Sequence, residues 1–137
     1  MVPKKVLLIK DQTSSALEYK LPLEQAGFEL VVAHDNCSAI QEVHNHNPDI
    51  ILINTNLSDY NRWELIRLLH VKERTGHYPI IIISEQPDIR NKVRAIQEGA
   101  EDYITIPFKS GELIKRIQII IDRNKTNKDL SRNNLTI

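Results

Sequence analysis

Apolar residues along the chain fall into short continuous runs, separated by longer segments of mixed polarity. Most residues in these runs are β-branched, and the runs are continuous where a half-buried strand would alternate, which is typical of strands buried on both faces of a parallel sheet. The runs cover residues 6–9, 30–33, 50–53, 80–83 and 103–106. The pattern therefore predicts a set of short, central strands.

The segments between these runs have the spacing of amphipathic helices. Asp35 or Asn36 is the expected N-cap of the second helix, and Gly99 is a typical residue to end the fourth. The apolar helix positions include Ala39, Ile40 and Val43, then Leu65, Ile66 and Leu69, then Ile89, Val93 and Ile96, and finally Leu113, Ile117 and Ile120. Strands alternating with helices predict an α/β fold, (βα)5, with helices on both faces of a doubly wound parallel sheet.

Composition excludes several classes of protein. The 137 residues include 18 Lys and Arg and 18 Asp and Glu, and this balance argues against a domain that binds nucleic acid through its total charge. No apolar run approaches the roughly 20 residues needed to span a bilayer. The single cysteine, Cys37, cannot form an internal disulfide. We therefore expect a cytoplasmic domain that binds neither nucleic acid nor a membrane.

Function in an open parallel sheet is expected beyond the carboxyl ends of the strands, where ligands bind. The sequence places there residues 10–12, 34–35, 54–56, 84–85 and 106–108. The family resemblance described next selects from them the candidate site residues Lys10, Asp11, Asn54, Asn56, Ser84 and Ile106.

Fragments at these strand ends carry a family resemblance. They are Lys5–Asp11, Pro48–Asn54, Pro79–Ser84, Glu98–Tyr103 and the pair Pro107-Phe108. In this order and spacing, they make residues 4–124 similar to the receiver domain of bacterial response regulators, the modules of two-component systems and phosphorelays. The resemblance implies the flavodoxin-like strand order 2-1-3-4-5, and it favours a cis peptide bond before Pro107.

The resemblance also implies a chemistry that this chain departs from. Family members accept a phosphoryl group on an aspartate after the third strand, hold Mg²⁺ with two acidic residues, and contact the phosphoryl oxygens through Ser or Thr and Lys. Here Asn54 stands at the acceptor position, Lys10 at the first acidic position and Ile106 at the lysine position, while Asp11 and Ser84 are kept. An amide cannot attack a phosphoryl donor, and one aspartate beside an ammonium group is a poor Mg²⁺ site. We therefore expect a degenerate pseudo-receiver with no enzymatic activity, no bound metal and no cofactor.

Several points stay open at the level of sequence. Lys10 is either a solvated lysine, or its ammonium lies near Asp11 and Asn54 and replaces the missing cation. Trp63, near a position where the family has glycine, is either an exposed contact residue or a cover for the rim of the site. Asn54 could be an engineered substitution, but the accompanying changes at Lys10 and Ile106 favour natural degeneracy.

A degenerate receiver would act through contacts with a protein partner or its own output domain. The resemblance implies a partner or homodimer face on the fourth helix, fifth strand and fifth helix, with Arg94, Tyr103 and Lys115 on it. Tyr103 matches the aromatic switch position of the family, and is otherwise a half-buried residue that packs on the fourth helix. Two alternatives are an active receiver with a non-standard acceptor such as Asp59, and a flavodoxin-like cofactor-binding protein.

The end of the chain differs in character from the rest. The apolar helix pattern fades after residue 121, so we expect a receiver-like domain over residues 1–124 and a linker, or the start of an output domain, over residues 125–137. The pair Leu135-Thr136 resembles the lead-in to a diguanylate cyclase GGDEF domain. A signalling module that controls a cyclase is one prediction from this likeness.

Overall fold

A computed structural model describes the backbone of residues 3–10, 16–54, 60–70, 78–85 and 88–135. Within these ranges the strands are β1 Lys5–Ile9, β2 Glu29–Ala33, β3 Ile50–Asn54, β4 Ile80–Ser84 and β5 Asp102–Thr105. The helices are α1 Leu17–Gln25, α2 Asn36–His46, α3 Tyr60–His70, α4 Ile89–Gln97 and α5 Ser110–Leu135. The predicted alternation of strands and helices is confirmed.

The strands form one parallel sheet in the order β2-β1-β3-β4-β5, as the family resemblance implied. Because every strand runs in the same direction, all the carboxyl ends lie at one edge of the sheet. Residues that follow the strands are therefore neighbours in space although they are far apart along the chain.

Successive side chains of each strand point to opposite faces of the sheet, so the continuous apolar runs fill two separate cores. On β1, Leu7 and Ile9 belong to the core that α2, α3 and α4 cover, whereas Val6 and Leu8 belong to the core that α1 and α5 cover. Strand β1 lies at the centre of both cores, since these four side chains are at most 1% exposed. The double burial explains why the strand pattern does not alternate.

Local sequence sets the helix ends. Asp35 caps α2, because its Oδ1 accepts a hydrogen bond of 2.7 Å from the backbone N–H of Ser38. In return, Oγ of Ser38 accepts a hydrogen bond from the backbone N–H of Asp35, which completes a capping box. Gly99 follows α4 with φ +121°, a conformation that residues with a Cβ rarely adopt. Of the two expected N-caps of α2, Asp35 is confirmed, and so is Gly99 as the residue that ends α4.

Helix α4 is where the apolar spacing predicted a helix correctly but did not indicate its buried face. Ile89, Val93 and Ile96 lie on one side of α4 and are 73%, 50% and 46% exposed. The small residue Ala95, on the other side, is fully buried against the core. We call Ile89, Val93 and Ile96 the outer stripe.

Helix α5 continues past the last of its described side chains. Within residues 110–124 the last buried position is Ile121, and the backbone of the helix extends to Leu135. At 1.5 Å per residue, the part after Asn124 is about 16 Å long. The predicted boundary at residue 124 therefore falls inside a continuous helix, and the division into two domains stays a prediction. None of the described helices has both the length and the apolar character that a membrane span requires.

Candidate functional site

Polar residues converge at the carboxyl edge of the sheet, as the sequence predicted. Lys10 directly follows β1, and Asn54 is the last residue of β3. Because Ile9 and Ile53 are paired in the sheet, Lys10 and Asn54 are neighbours on adjacent strands. Ser84 ends β4, the next strand along. We call Lys10, Tyr19, Asn54, Ser84 and Ile106 the strand-end site. Asp11, Asn56 and Asp59 lie outside the described residues.

Lys10 is buried at this edge, so the interpretation as a solvated lysine is wrong. The residue is 5% exposed, and its Nζ lies 3.7 Å from Oε1 of Glu18 and 5.1 Å from the centroid of the Tyr19 ring. A carboxylate and the face of an aromatic ring both attract an ammonium group. The described partners of the ammonium therefore come from α1. One of them, Tyr19, also contacts Asn54.

The side chain of Asn54 is held by the same tyrosine. Its Nδ2 donates a hydrogen bond to the hydroxyl of Tyr19 over 2.5 Å. Tyr19 is fully buried, and this burial, helped by the negative charge of Glu18, raises the pKa of its phenol to about 12 even though the bond from Asn54 acts to lower it. The phenol is therefore neutral at physiological pH, and its oxygen accepts the hydrogen bond from the Asn54 amide.

Tyr19 also reaches the loop between β5 and α5. Its ring lies 5.7 Å from the ring of Phe108, centroid to centroid, with the planes tilted by 45°, a favourable arrangement for an aromatic pair. Sequence reasoning missed Tyr19 as a site residue. The available indication was its spacing, because Tyr19 and Leu23 are four residues apart and together form the buried face of α1.

The remaining strand-end positions are apolar or enclosed. Ile106, at the lysine position, is partly buried and packs on the core that α1 and α5 cover, and the Ile106-Pro107 peptide is cis as predicted. Ser84 is fully buried, and its carbonyl oxygen accepts a hydrogen bond of 2.8 Å from the backbone N–H of Ile106. The chain thus keeps a hydroxyl residue at the Ser84 position, whereas a packed apolar side chain stands at the position of the family's lysine.

The described residues of this edge do not fit Mg²⁺. That ion requires oxygen ligands in near-octahedral geometry. Here a buried ammonium group occupies the first acidic position, and the amide nitrogen of Asn54 points to the Tyr19 hydroxyl. Across the described part of the chain, no three His, Cys, Asp or Glu side chains group in a way that could hold a metal ion.

The predicted partner-face residues separate into buried and exposed positions. Tyr103 is 5% exposed and belongs to the core with Ala95 and Ala100, so it is more deeply buried than the half-buried alternative. Its assignment to the switch and partner face stays a prediction. Arg94 and Lys115 are exposed, as a contact face requires.

Trp63 is a core residue, so the expectation of an exposed contact residue is wrong, while its role as a cover for the rim of the site stays a prediction. It is 2% exposed, and the guanidinium of Arg94 lies 4.1 Å from the centroid of its ring, within the range of a cation–π contact. A second link between α3 and α4 joins Nε of Arg67 to Oε2 of Glu98 over 2.8 Å, and this hydrogen bond holds the pKa of the Glu98 carboxyl below its usual value. The side of α4 opposite the outer stripe is therefore bonded to α3.

Comparison with known proteins agrees with this fold. The sequence profile of the family described as the response regulator receiver domain matches residues 6–118. The chain therefore belongs to the response regulator receiver domain family, a class of signal-transduction modules. Membership in this family supports the receiver interpretation over the flavodoxin-like cofactor-binding alternative.

Individual relatives lie at moderate distance. The chain is 37% identical over 122 residues to the cell cycle response regulator CtrA of Brucella ovis, covering 88% of this chain and 51% of that protein. It is 31% identical over 120 residues to the phosphate regulon transcriptional regulatory protein PhoB of Klebsiella pneumoniae, covering 88% and 52%. The Francisella response regulator 1452 receiver domain superposes with a TM-score of 0.75 at 30% identity, covering 89% and 98%. The chain thus spans about half the length of the curated relatives it matches.

Proposed function

We propose that this chain is a pseudo-receiver: a cytoplasmic signalling module without enzymatic activity that is not phosphorylated at the usual position and acts through protein contacts. The observation that carries the proposal is the state of Asn54. Its side chain stands where an acceptor carboxylate would be, and its amide is committed to the hydroxyl of Tyr19. An amide nitrogen in this position offers no nucleophilic lone pair to a phosphoryl donor.

The residues around Asn54 support the same conclusion. Phosphoryl transfer depends on metal ions and cationic groups that neutralise the charge developing on the transferred group. The lysine position holds Ile106, which packs into the core, and the ammonium of Lys10 is engaged by Glu18 and Tyr19. The strand-end site therefore has interactions of its own in place of the family's catalytic set.

The outer stripe of α4 supports action through protein contacts. Ile89, Val93 and Ile96 form a continuous exposed apolar surface, and such surfaces on a small domain mark interaction sites. The neighbouring Arg90 and Lys92 are exposed bases on the same helix. We infer a contact face on α4, β5 and α5 for a partner protein, an output domain or a second copy of the chain.

The contacts between α3 and α4 support a face that is always presented. Arg94 packs on Trp63 and Glu98 pairs with Arg67, so α4 is anchored on the side away from the outer stripe. A helix held in this way needs no phosphoryl group to fix its position. The proposed module is therefore a constitutive contact surface.

We further propose that α5 carries this module to an output domain. The helix continues about 16 Å past Asn124, and the match to this chain covers only 51% of CtrA and 52% of PhoB. The likeness of Leu135-Thr136 to a cyclase lead-in makes a diguanylate cyclase one candidate output. The coding sequence downstream of residue 137 decides between a cyclase and another output.

The direct test of the proposed function is incubation of the purified chain with acetyl phosphate and Mg²⁺, followed by intact mass spectrometry. The expected result is an unchanged mass, while a receiver domain with aspartate at the acceptor position, treated in parallel, gains about 80 Da for one phosphoryl group. A stable adduct on this chain would contradict the proposal. Mapping it to a residue such as Asp59 would establish an active receiver with a non-standard acceptor.

A further inference from the structure

Tyr19 contacts three segments that meet at the carboxyl edge of the sheet. Its hydroxyl accepts the hydrogen bond from Asn54, its ring lies under the ammonium of Lys10, and the same ring contacts Phe108 in the loop before α5. These contacts come from the end of β3, the residue that follows β1 and the β5–α5 loop. A residue with this position can do more than fill space in the core.

We propose that Tyr19 is a second block on phosphoryl transfer, independent of the missing acceptor. Restoring aspartate at position 54, an acidic residue at position 10 and lysine at position 106 would then leave the site slow until the Tyr19 hydroxyl is removed. This inference rests on the proposed function, because it assumes that the chain is not phosphorylated at position 54. It adds a second reason for the absence of phosphoryl transfer, besides the amide of Asn54.

The chemistry follows from the hydrogen bond that Asn54 now makes. With aspartate at position 54, the acceptor phenol becomes a donor, since its raised pKa keeps the proton on the oxygen at assay pH. A hydrogen bond from the phenol to a carboxylate oxygen is charge-assisted and lowers the nucleophilicity of that oxygen.

The packing of Tyr19 keeps the phenol from moving aside. The side chain is 0% exposed and belongs to the core that α1 and α5 cover, and its ring packs on the ring of Phe108, a contact that the substitutions at positions 10, 54 and 106 leave in place. A new rotamer in such a core costs packing contacts and leaves a cavity. Removing the hydroxyl alone, with phenylalanine, keeps the ring contacts and abolishes only the bond to position 54.

The experiment compares a reconstituted variant, Lys10→Asp/Asn54→Asp/Ile106→Lys, with the same variant carrying Tyr19→Phe. The rate of phosphorylation by acetyl phosphate and Mg²⁺ is followed by intact mass. We expect Tyr19→Phe to raise the rate about tenfold or more, the equivalent of one charge-assisted hydrogen bond. Equal rates, including no phosphorylation of either protein, would overturn the proposal.

Tyr78→Phe is the matched control in the reconstituted background. It also removes one phenol hydroxyl, but that hydroxyl donates to Oδ1 of Asn47 over 3.0 Å, at the opposite edge of the sheet where β3 and β4 begin. We expect it to leave the rate unchanged. A rise equal to that of Tyr19→Phe would show a general loosening of the domain and would also overturn the proposal.

A measurement on the otherwise unaltered chain covers the case in which the reconstituted variants fold poorly. In ¹⁵N NMR spectra, Tyr19→Phe is expected to shift the Asn54 side-chain amide signals and to speed their hydrogen exchange about tenfold or more, because one hydrogen bond is lost. Unchanged signals would overturn the proposal. Phosphorylation of the unaltered chain, by contrast, would refute the proposed function, so the two failures are distinguishable.

Discussion

The strand-end site and the outer stripe treat their side chains in opposite ways. At the strand-end site, the polar groups that stand where the family binds its ligands contact other groups of the chain: Lys10 contacts Glu18 and Tyr19, and Asn54 bonds to Tyr19. On α4, apolar side chains that could have joined the core remain in contact with water. The difference indicates a domain that has closed its chemical site and kept a surface for contacts.

The two regions contribute differently to the stability of the folded chain. A buried ammonium or amide is costly unless it is paired, so pairing at the strand-end site stabilises the fold. An exposed apolar stripe contributes little to stability in the free chain and becomes favourable only when a partner covers it. The two regions should therefore respond in opposite ways to substitution.

The largest expected difference between the regions is in the free energy of unfolding. Tyr19→Ala removes a fully buried aromatic ring and should cost about 3–5 kcal/mol. Ile89→Ala shortens a residue that is 73% exposed and should change stability by less than about 0.5 kcal/mol. Urea denaturation, followed by the fluorescence of the single tryptophan, Trp63, measures both. Equal losses would show that the outer stripe is part of the core.

The next effect concerns the anchor of α4. A Cβ at Gly99 would lie 2.4 Å from ring atoms of His70, in a backbone with φ +121°, so Gly99→Ala should cost about 1–3 kcal/mol. Gly111→Ala is the control, because nothing lies within 4 Å of its Cβ position on α5, and it should gain up to about 1 kcal/mol. Thermal or urea unfolding checks both. A neutral Gly99→Ala would mean that α3 and α4 are packed more loosely than described.

A smaller effect is expected for the link between Arg94 and Trp63. Arg94→Gln removes the cation above the indole ring and should cost about 0.5–1 kcal/mol, with a change in Trp63 emission. Arg90→Gln removes a neighbouring base whose side chain is 89% exposed, and should alter neither quantity. If the emission of Trp63 is the same in both variants, Arg94 does not anchor α4.

The subtlest effect is on pH dependence. Folding raises the pKa of Tyr19 to about 12 from an ordinary value near 10, so above pH 10 the unfolded chain releases this proton while the folded chain keeps it. This contribution to stability is complete below pH 10 and is lost as the pH rises toward 12. The native chain should therefore lose stability more steeply over this interval than Tyr19→Phe, as measured by urea unfolding. Parallel curves would contradict the burial of the phenol.

The sequence predicted the sheet well because its strands are buried on both faces. Continuous β-branched runs such as Ile80–Ile83 are typical of such strands. The sequence also predicted that Lys10, Asn54 and Ser84 would meet, since parallel strands bring their ends together. It could not predict Tyr19, because a tyrosine on the inner face of α1 reads as core, and only the fold shows its hydroxyl beside Asn54. The exposure of the outer stripe was equally hidden, since helical spacing does not say which face meets the sheet.

The central claim, that the strand-end site is closed to the phosphoryl chemistry of the family, has one most direct test. The ¹H–¹⁵N NMR spectrum of the chain is recorded during titration with Mg²⁺ and beryllofluoride, a non-covalent mimic of the phosphoryl group. We expect the Asn54 side-chain amide and the backbone signal of Ser84 to stay unchanged throughout. Saturable shifts of these two signals would contradict the account and show that the site still binds the ligands of a working receiver.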